Sequence, residues 1–419
     1  YNLECQSYNM EYEMKSDVQV AVIGGGIVGA AVLYWLAKKG WTDTVLVERR
    51  ELTSGSTWHS SGHVAYFGPQ ADFSQLYASS IQTYVQAEQE SGHSISFHQT
   101  GSLMIASNEK ELELFHSYKP DFDKRGIPYN VCTPDEVSTL NPLLETSGIF
   151  GAAYTPTDGY LDPSGATQAL AAAARGLGAS VERFCPVLSL QRDTSGWLVE
   201  TEKGIISAKH VVVAASFWTR ELLAKLGIGV PVYAIKHQCV LSDSLPGLVE
   251  LDHEIPILRD SYISGSVRQE GKGILAGFYE DTPEFWALDG IPKDFHEDLF
   301  EPDLDRIMPN LERLMERYPS FREVGIKNVI NGPMCLTPDN LPLIGPVQDH
   351  EGLWLATGFH VGIATGGGSA EFLAHWMTSG APPFDLKAVH ADRFPNDMPT
   401  DLVLERMRQY YRKFYQLPT

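Results

Sequence analysis

The chain has 419 residues, 43% of them hydrophobic, and a formal net charge of −21. That length allows two domains with sizeable cores, and so acidic a balance argues against nucleic acid or an anionic membrane surface as a partner. Five scattered cysteines without CxxC spacing (Cys5, Cys132, Cys185, Cys239, Cys335) point to a reducing, cytoplasmic setting and away from a zinc site, and no apolar run approaches the length of a membrane span.

Residues 1–16 are polar and acidic. They lack the basic-then-apolar order of a secretory signal and the arginines of an organelle presequence, so they read as a leader outside the fold. An apolar strand then runs over Val18–Ile23 into Gly24-Gly25-Gly26-Ile27-Val28-Gly29, a helix follows, and a second apolar strand, Thr44–Val47, ends on Glu48. This order is the opening βαβ unit of a dinucleotide-binding fold. Gly24 permits the tight turn, Gly26 lets the backbone approach a pyrophosphate, and Gly29 lets the helix pack close to the strand. The helix N-terminus offers free N–H groups to phosphate, and an acid at the position of Glu48 accepts hydrogen bonds from a ribose diol.

The next stretch, Thr53–Gly68, is rich in small residues and hydroxyls and should lead into another helix. Ser54, Ser56 and Thr57 are placed to donate to phosphates along an extended cofactor; FAD needs so long a cradle and NAD does not. Residues 67–155 show a helical pattern over Phe73–Gly92 and an alternating strand at Gly101–Ala106. Ile206–Ala215 and Leu353–Thr357 read as buried strands, the latter followed by a glycine-rich turn into a helix. Residues 231–330 alternate between polar and apolar over Val232–Leu241, Ile257–Arg268 and Gly273–Phe278, as in an antiparallel sheet with one buried face. The fold class is therefore α/β combined with α+β: a Rossmann-like cofactor domain (17–66, 156–230 and 331–385) interleaved with an antiparallel-sheet substrate domain (67–155 and 231–330). Residues 386–419 form a tail whose charged helix, Asp401–Tyr415, is expected to pack on the outside.

Seven stretches carry a resemblance: GSTWHSSGHVAYF (55–67), FHQTGSLMIA (97–106), GYLDPSGATQALAAAAR (159–175), IKHQC (235–239), DLDRIMP (303–309), NGPMCLTPDNLPLIGP (331–346) and APPFDL (381–386). Together, in this order, they resemble the dimethylglycine and sarcosine dehydrogenases of the glycine-oxidase-like flavoproteins. The resemblance implies FAD bonded covalently to His59 through the flavin 8α-methyl. It places Ile27, Val28, Glu48 and Arg49 around the adenosine half. Along the rest of FAD it places Gly55, Ser56, Thr57, Trp58, His59, Ser60, Ser61, Gly62, His63, Val187, Trp218, Gly358, Phe359, His360, Val361, Gly362 and Ile363. The helix opened by Gly358–Ile363 points its positive end at the flavin's pyrimidine ring, where negative charge develops.

On the substrate side the resemblance singles out His237, whose imidazole can take a proton from the amine; the alternative is a satisfied sheet histidine. His360 replaces a small residue of the family and either faces the substrate, bonds the flavin or points away. The family's catalytic Tyr precedes an Arg-Gln-Glu run, here Arg268-Gln269-Glu270, but the aligned positions are Gly265 and Ser266. Tyr262 either substitutes through a local shift or the role is absent. Arg259, Arg268 and Lys236 are candidate anchors for a substrate carboxylate, or else solvated charges.

The activity implied is FAD-dependent oxidation of an N-methylated amine or amino acid, with the iminium hydrolysed to formaldehyde and the demethylated amine. Oxygen or an electron-transfer protein takes the electrons. The family's folate-binding half is not expected within this sequence, so formaldehyde is released or passed to a separate partner. The alternatives are a non-catalytic regulatory flavoprotein and an oxidase of a primary amino acid or hydroxy acid.

Overall fold

The structure, a computed structural model, describes residues 15–66 and 73–417. Most of the leader and the Phe67–Gly68 end of the hydroxyl-rich stretch lie outside the described residues. Ser16 lies within them, and its carbonyl accepts a hydrogen bond from the Ser207 amide at 2.8 Å.

Strand Asp17–Ile23 sits at the centre of the first sheet because both its faces are apolar. Val20 and Val22 enter one core, while Val18, Ala21 and Ile23 enter the other. Burial on both faces is what a parallel strand requires. It pairs in parallel with Gly204–Val213 on one side and Thr44–Val47 on the other. The strand order across this sheet is 343–346, 353–357, 204–213, 17–23, 44–47, 180–182. Four helices (Ile27–Lys38, Ser74–Ser91, Pro163–Gly176 and Gly362–Ser379) contribute to the core on one face. An antiparallel ribbon, Val187–Arg192 with Trp197–Thr201, helps cover the other.

Helix Pro163–Gly176 starts where its sequence says it should. The Asp162 side chain accepts from the Ser164 amide, and Pro163 stands at the first helical position. The adjoining backbone also holds the hydroxyl-rich loop, since the Leu161 amide donates to the Gly62 carbonyl at 3.0 Å. Asp162→Ala is expected to cost about 1 kcal/mol, read as a lower urea midpoint at unchanged m-value.

The second sheet has nine strands, ordered 284–286, 233–242, 273–278, 265–270, 257–260, 102–106, 151–155 and 130–132, with Ile326–Leu336 also paired to Tyr233–Ser242. That last strand runs on past residue 330, where the sequence pattern suggested a join. Helix Leu304–Arg317 buries Ile307, Leu311 and Leu314 against it.

Two expectations need correction and a third needs detail. The pattern over Ile257–Arg268 is two strands, Ile257–Asp260 and Gly265–Glu270, separated by a turn. Asp260 ends the first because its buried carboxylate meets Arg317 at 2.8 Å, and Ser264 takes a left-handed φ of 47°. The hydroxyl-rich stretch is a run of turns rather than the start of a helix, with Thr53 at φ 75°. The C-terminal helix, Thr400–Arg412, does lie on the outside, with Leu402, Glu405, Arg406, Gln409 and Tyr410 exposed, but one side of it is firmly packed. Val403, Leu404, Met407 and Tyr411 form a stripe at helical spacing, buried against Tyr233, Ile235, Tyr279 and Leu336. The charged residues interspersed in that segment hid the stripe.

Candidate active site and cofactor cradle

One cavity of about 840 Å³ runs from the glycine turn of the first sheet to the face of the second. At its first end the turn is forced by sterics. Gly24 has φ 112°, and a Cβ there would lie 2.5 Å from the Ala214 carbonyl oxygen. Glu48 closes the turn: its Oε2 accepts from the Gly25 amide at 2.6 Å and its Oε1 from the Arg50 amide at 2.9 Å. Burial raises its pKa against those hydrogen bonds and the nearby Arg49. Each carboxylate oxygen keeps a second lone pair for a ribose hydroxyl. Arg49 donates to the carbonyls of Lys293 and Phe295 at 2.9 and 3.0 Å and lies over the Trp218 ring, so it straps the 293–295 segment across the opening.

Along the middle run Ser54–Thr57 and His59–His63, with Val187 and Trp218 also in the lining and the Trp218 ring close to Gly55. The hydroxyls are more committed than their number suggests. Ser56 donates to the Pro333 carbonyl at 2.7 Å, and Thr57 Oγ1 accepts from the Ile27 amide at 3.2 Å. Thr57 therefore keeps its hydrogen for a ligand and Ser56 does not. His59 packs against Gly332, where a Cβ would come within 2.5 Å of its Cε1. Its Nε2 is buried without a hydrogen-bond partner among the described residues, as is the Trp218 indole nitrogen. Burial lowers the His59 pKa to about 4, so the ring is neutral and keeps a lone pair.

At the far end Gly358–Ile363 and the start of helix Gly362–Ser379 meet the second sheet. The floor here is made of small residues, Cys239, Gly277 and Ser266, which face one another across three strands. His360 is buried, with Nε2 2.8 Å from the Tyr279 hydroxyl. His237 lies in the same corner, with Nδ1 2.9 Å from the Tyr411 hydroxyl. Burial lowers the pKa of each imidazole to about 3, helped at His237 by His360, His59 and Arg306.

Four sequence candidates lie outside the main cavity. Tyr262 occupies the turn between the two short strands, 39% exposed, with its hydroxyl on Glu316. Arg268 is spent within the fold: it donates to the Ser61 and Gln269 carbonyls, pairs with Glu270 at 2.6 Å and lies over the Tyr160 ring. It holds the 59–63 loop and does not line the main cavity. Lys236 pairs with Glu284. Arg259 lines a smaller cavity of about 70 Å³, which shares His63, Val361, Ala364, Phe414 and Tyr415 with the main one. Gly29 and Trp58 stand just behind the lining, Trp58 edge-on to His59.

The residues that sequence reasoning missed are aromatic and non-local. Tyr279 follows strand Gly273–Phe278, and its amide donates to the Ser264 carbonyl at 2.8 Å. It thus stands across the sheet from the small residues that precede Arg268, and supplies a phenol where they have none. Tyr411, Phe414 and Tyr415 come from the C-terminal segment. The buried stripe of its helix was the available signal.

The length of the cavity, its glycine turn and its second-sheet wall define a flavin-dependent oxidoreductase. Residues 19–376 match the FAD dependent oxidoreductase (DAO) family, and the chain belongs to that family. It is 38% identical to mouse dimethylglycine dehydrogenase over 95% of its length and 47% of that protein. It is 32% identical to a formaldehyde-forming 4-methylaminobutanoate oxidase of Paenarthrobacter nicotinovorans, over 91% of the chain and 46% of the relative. The chain spans about half the length of these curated relatives. The solved structure of L-proline dehydrogenase from P. horikoshii superposes with a TM-score of 0.79 at 26% identity, covering 91% of this chain and 98% of that one. The unpartnered nitrogens of His59 and Trp218 and the acid-closed glycine turn fit FAD.

Proposed function

We propose that the chain oxidises an N-methylated amine or amino acid, using FAD attached through His59. The carrying observation is one cavity that joins a dinucleotide cradle to two neutral imidazoles and a phenol. The names of the relatives support the substrate class. FAD supplies the two-electron, hydride-accepting chemistry. The glycine turn and Glu48 bind its nucleotide half, and the N-terminus of helix Gly362–Ser379 favours negative charge placed beside it. The same reading takes the two sheets as cofactor and substrate domains, with the boundary at 330 moved to the end of strand Ile326–Leu336.

An amine must be neutral to release hydride from the carbon beside nitrogen. His237 therefore accepts its proton, and water hydrolyses the resulting iminium to formaldehyde and the demethylated amine. Tyr279 and His360 stand beside His237 in the same corner and orient the amine. Arg259, which lines the smaller cavity, is the proposed partner of a substrate carboxylate.

A panel of dimethylglycine, sarcosine, other N-methyl amino acids and primary amino acids, mixed anaerobically with the yellow protein, tests this. Bleaching with one formaldehyde per flavin is expected for an N-methyl substrate; bleaching by primary amino acids alone, without formaldehyde, would refute it. Because burial holds His237 and His360 near 3, both stay neutral throughout the working range. The bleaching rate at saturating amine is therefore expected to show no inflection near the ordinary imidazole value of about 6.5.

A further inference from the structure

His237 cannot keep the proton it takes. Burial and its neighbours depress its pKa, so an imidazolium there is costly. The structure offers a way onward. The Tyr411 hydroxyl, 2.9 Å from His237 Nδ1, lies 2.6 Å from Glu280 Oε2 and 3.2 Å from the Phe278 carbonyl oxygen. A phenol has one hydrogen, and the closer, charged acceptor takes it. Nδ1 must then carry its own hydrogen and donate to Tyr411, which leaves the Nε2 lone pair for the amine.

We propose that Tyr411 and Glu280 form a proton relay behind His237, carrying the ammonium proton of the substrate to the Glu280 carboxylate. The inference rests on the amine-oxidising reading above. In the step, the ammonium N–H bond breaks and the proton binds His237 Nε2. The Nδ1 proton passes to the Tyr411 oxygen, and the Tyr411 hydroxyl proton passes to Glu280 Oε2. One positive and one negative charge disappear together. The products are a neutral amine, a neutral imidazole of the other tautomer, an intact phenol and a carboxylic acid.

The surroundings suit a carboxyl that changes charge. Burial raises the Glu280 pKa, while Tyr411 and Arg306 hold it down. Arg306, nearly buried itself, stands 3.5 Å from Glu280, 3.6 Å from Glu284 and 3.7 Å from Asp303, so it stays balanced when Glu280 is neutralised. The other titratable groups facing His237 are His360, His59 and Tyr279. Tyr411 and Glu280 are positioning and relay residues. They act through His237.

Anaerobic bleaching by an N-methyl substrate, followed in wild type, Tyr411→Phe and Glu280→Gln, provides the test. Near neutral pH each variant is expected to bleach roughly 100-fold more slowly, and the deficit should close as pH rises above the ammonium's own pKa. A deficit that stays constant with pH would mean only a structural role and would overturn the relay. A second arm needs no turnover. Binding 2-aminoisobutyrate, which has no hydrogen on the carbon bonded to nitrogen, should raise a carboxylic-acid infrared band that shifts with 13C-glutamate labelling. The band should be absent in Glu280→Gln if that protein folds. Its absence in wild type would equally overturn the relay. If no amine bleaches the wild type but the band appears, the oxidation reading fails while proton transfer to Glu280 stands.

Discussion

Gly29→Ala is expected to give a protein that is colourless as purified and takes up no FAD. The Cβ would fall far inside van der Waals contact of the Gly24 carbonyl oxygen, with the Gly24 carbonyl carbon 3.1 Å away. Both atoms are backbone, so no rotamer change relieves the clash. Helix Ile27–Lys38 would have to lift from strand Asp17–Ile23, and the amides at its start would leave the cavity. Overpacking at a rigid site costs about 1–3 kcal/mol or more. The readouts are flavin absorbance after reconstitution and the melting temperature. Gly176→Ala is the control: nothing lies within 4 Å of a Cβ at that helical position, so it should be neutral or stabilise by roughly 0.5–1 kcal/mol. A yellow Gly29→Ala protein would refute the cradle.

The second large effect concerns His59. Acid precipitation of wild type is expected to leave the yellow colour in the pellet, and of His59→Ala to leave it in the supernatant. Nucleophilic attachment needs an unprotonated ring, and burial supplies one by holding His59 near 4. Position matters as much as identity. Gly332→Ala puts a methyl 2.5 Å from Cε1 and 2.8 Å from Nε2, which displaces the ring from the opposite strand. That variant should bind FAD yet retain only part of it after acid. Full retention in Gly332→Ala would show that the ring has slack the packing does not suggest; full release from wild type would refute the covalent attachment.

Local chemistry was legible without coordinates. Val18–Ile23, the glycines and Glu48 lie within one βαβ unit, where each residue's role follows from neighbours close in sequence. The hydroxyl-rich loop was found as part of the cradle, but not that Ser56 spends its hydrogen on Pro333. That bond joins residues far apart in the chain. Tyr262 was misplaced for a related reason. Alternation continues on either side of a turn, and only the burial of Asp260 against Arg317 shows that the strand stops there.

The amino-acid order by itself determined the nucleotide half and the family resemblance, and pointed to His237 and His360, which line the far end of the cavity, because glycine sterics and short-range periodicity are written in consecutive residues. Only the tertiary structure decided which groups stand behind those histidines. Strand register sets Tyr279 across from small residues. The buried stripe of the last helix brings Tyr411 to His237, and helix Leu304–Arg317 brings Arg306 to Glu280. Those contacts depend on packing between distant segments, which no local pattern encodes.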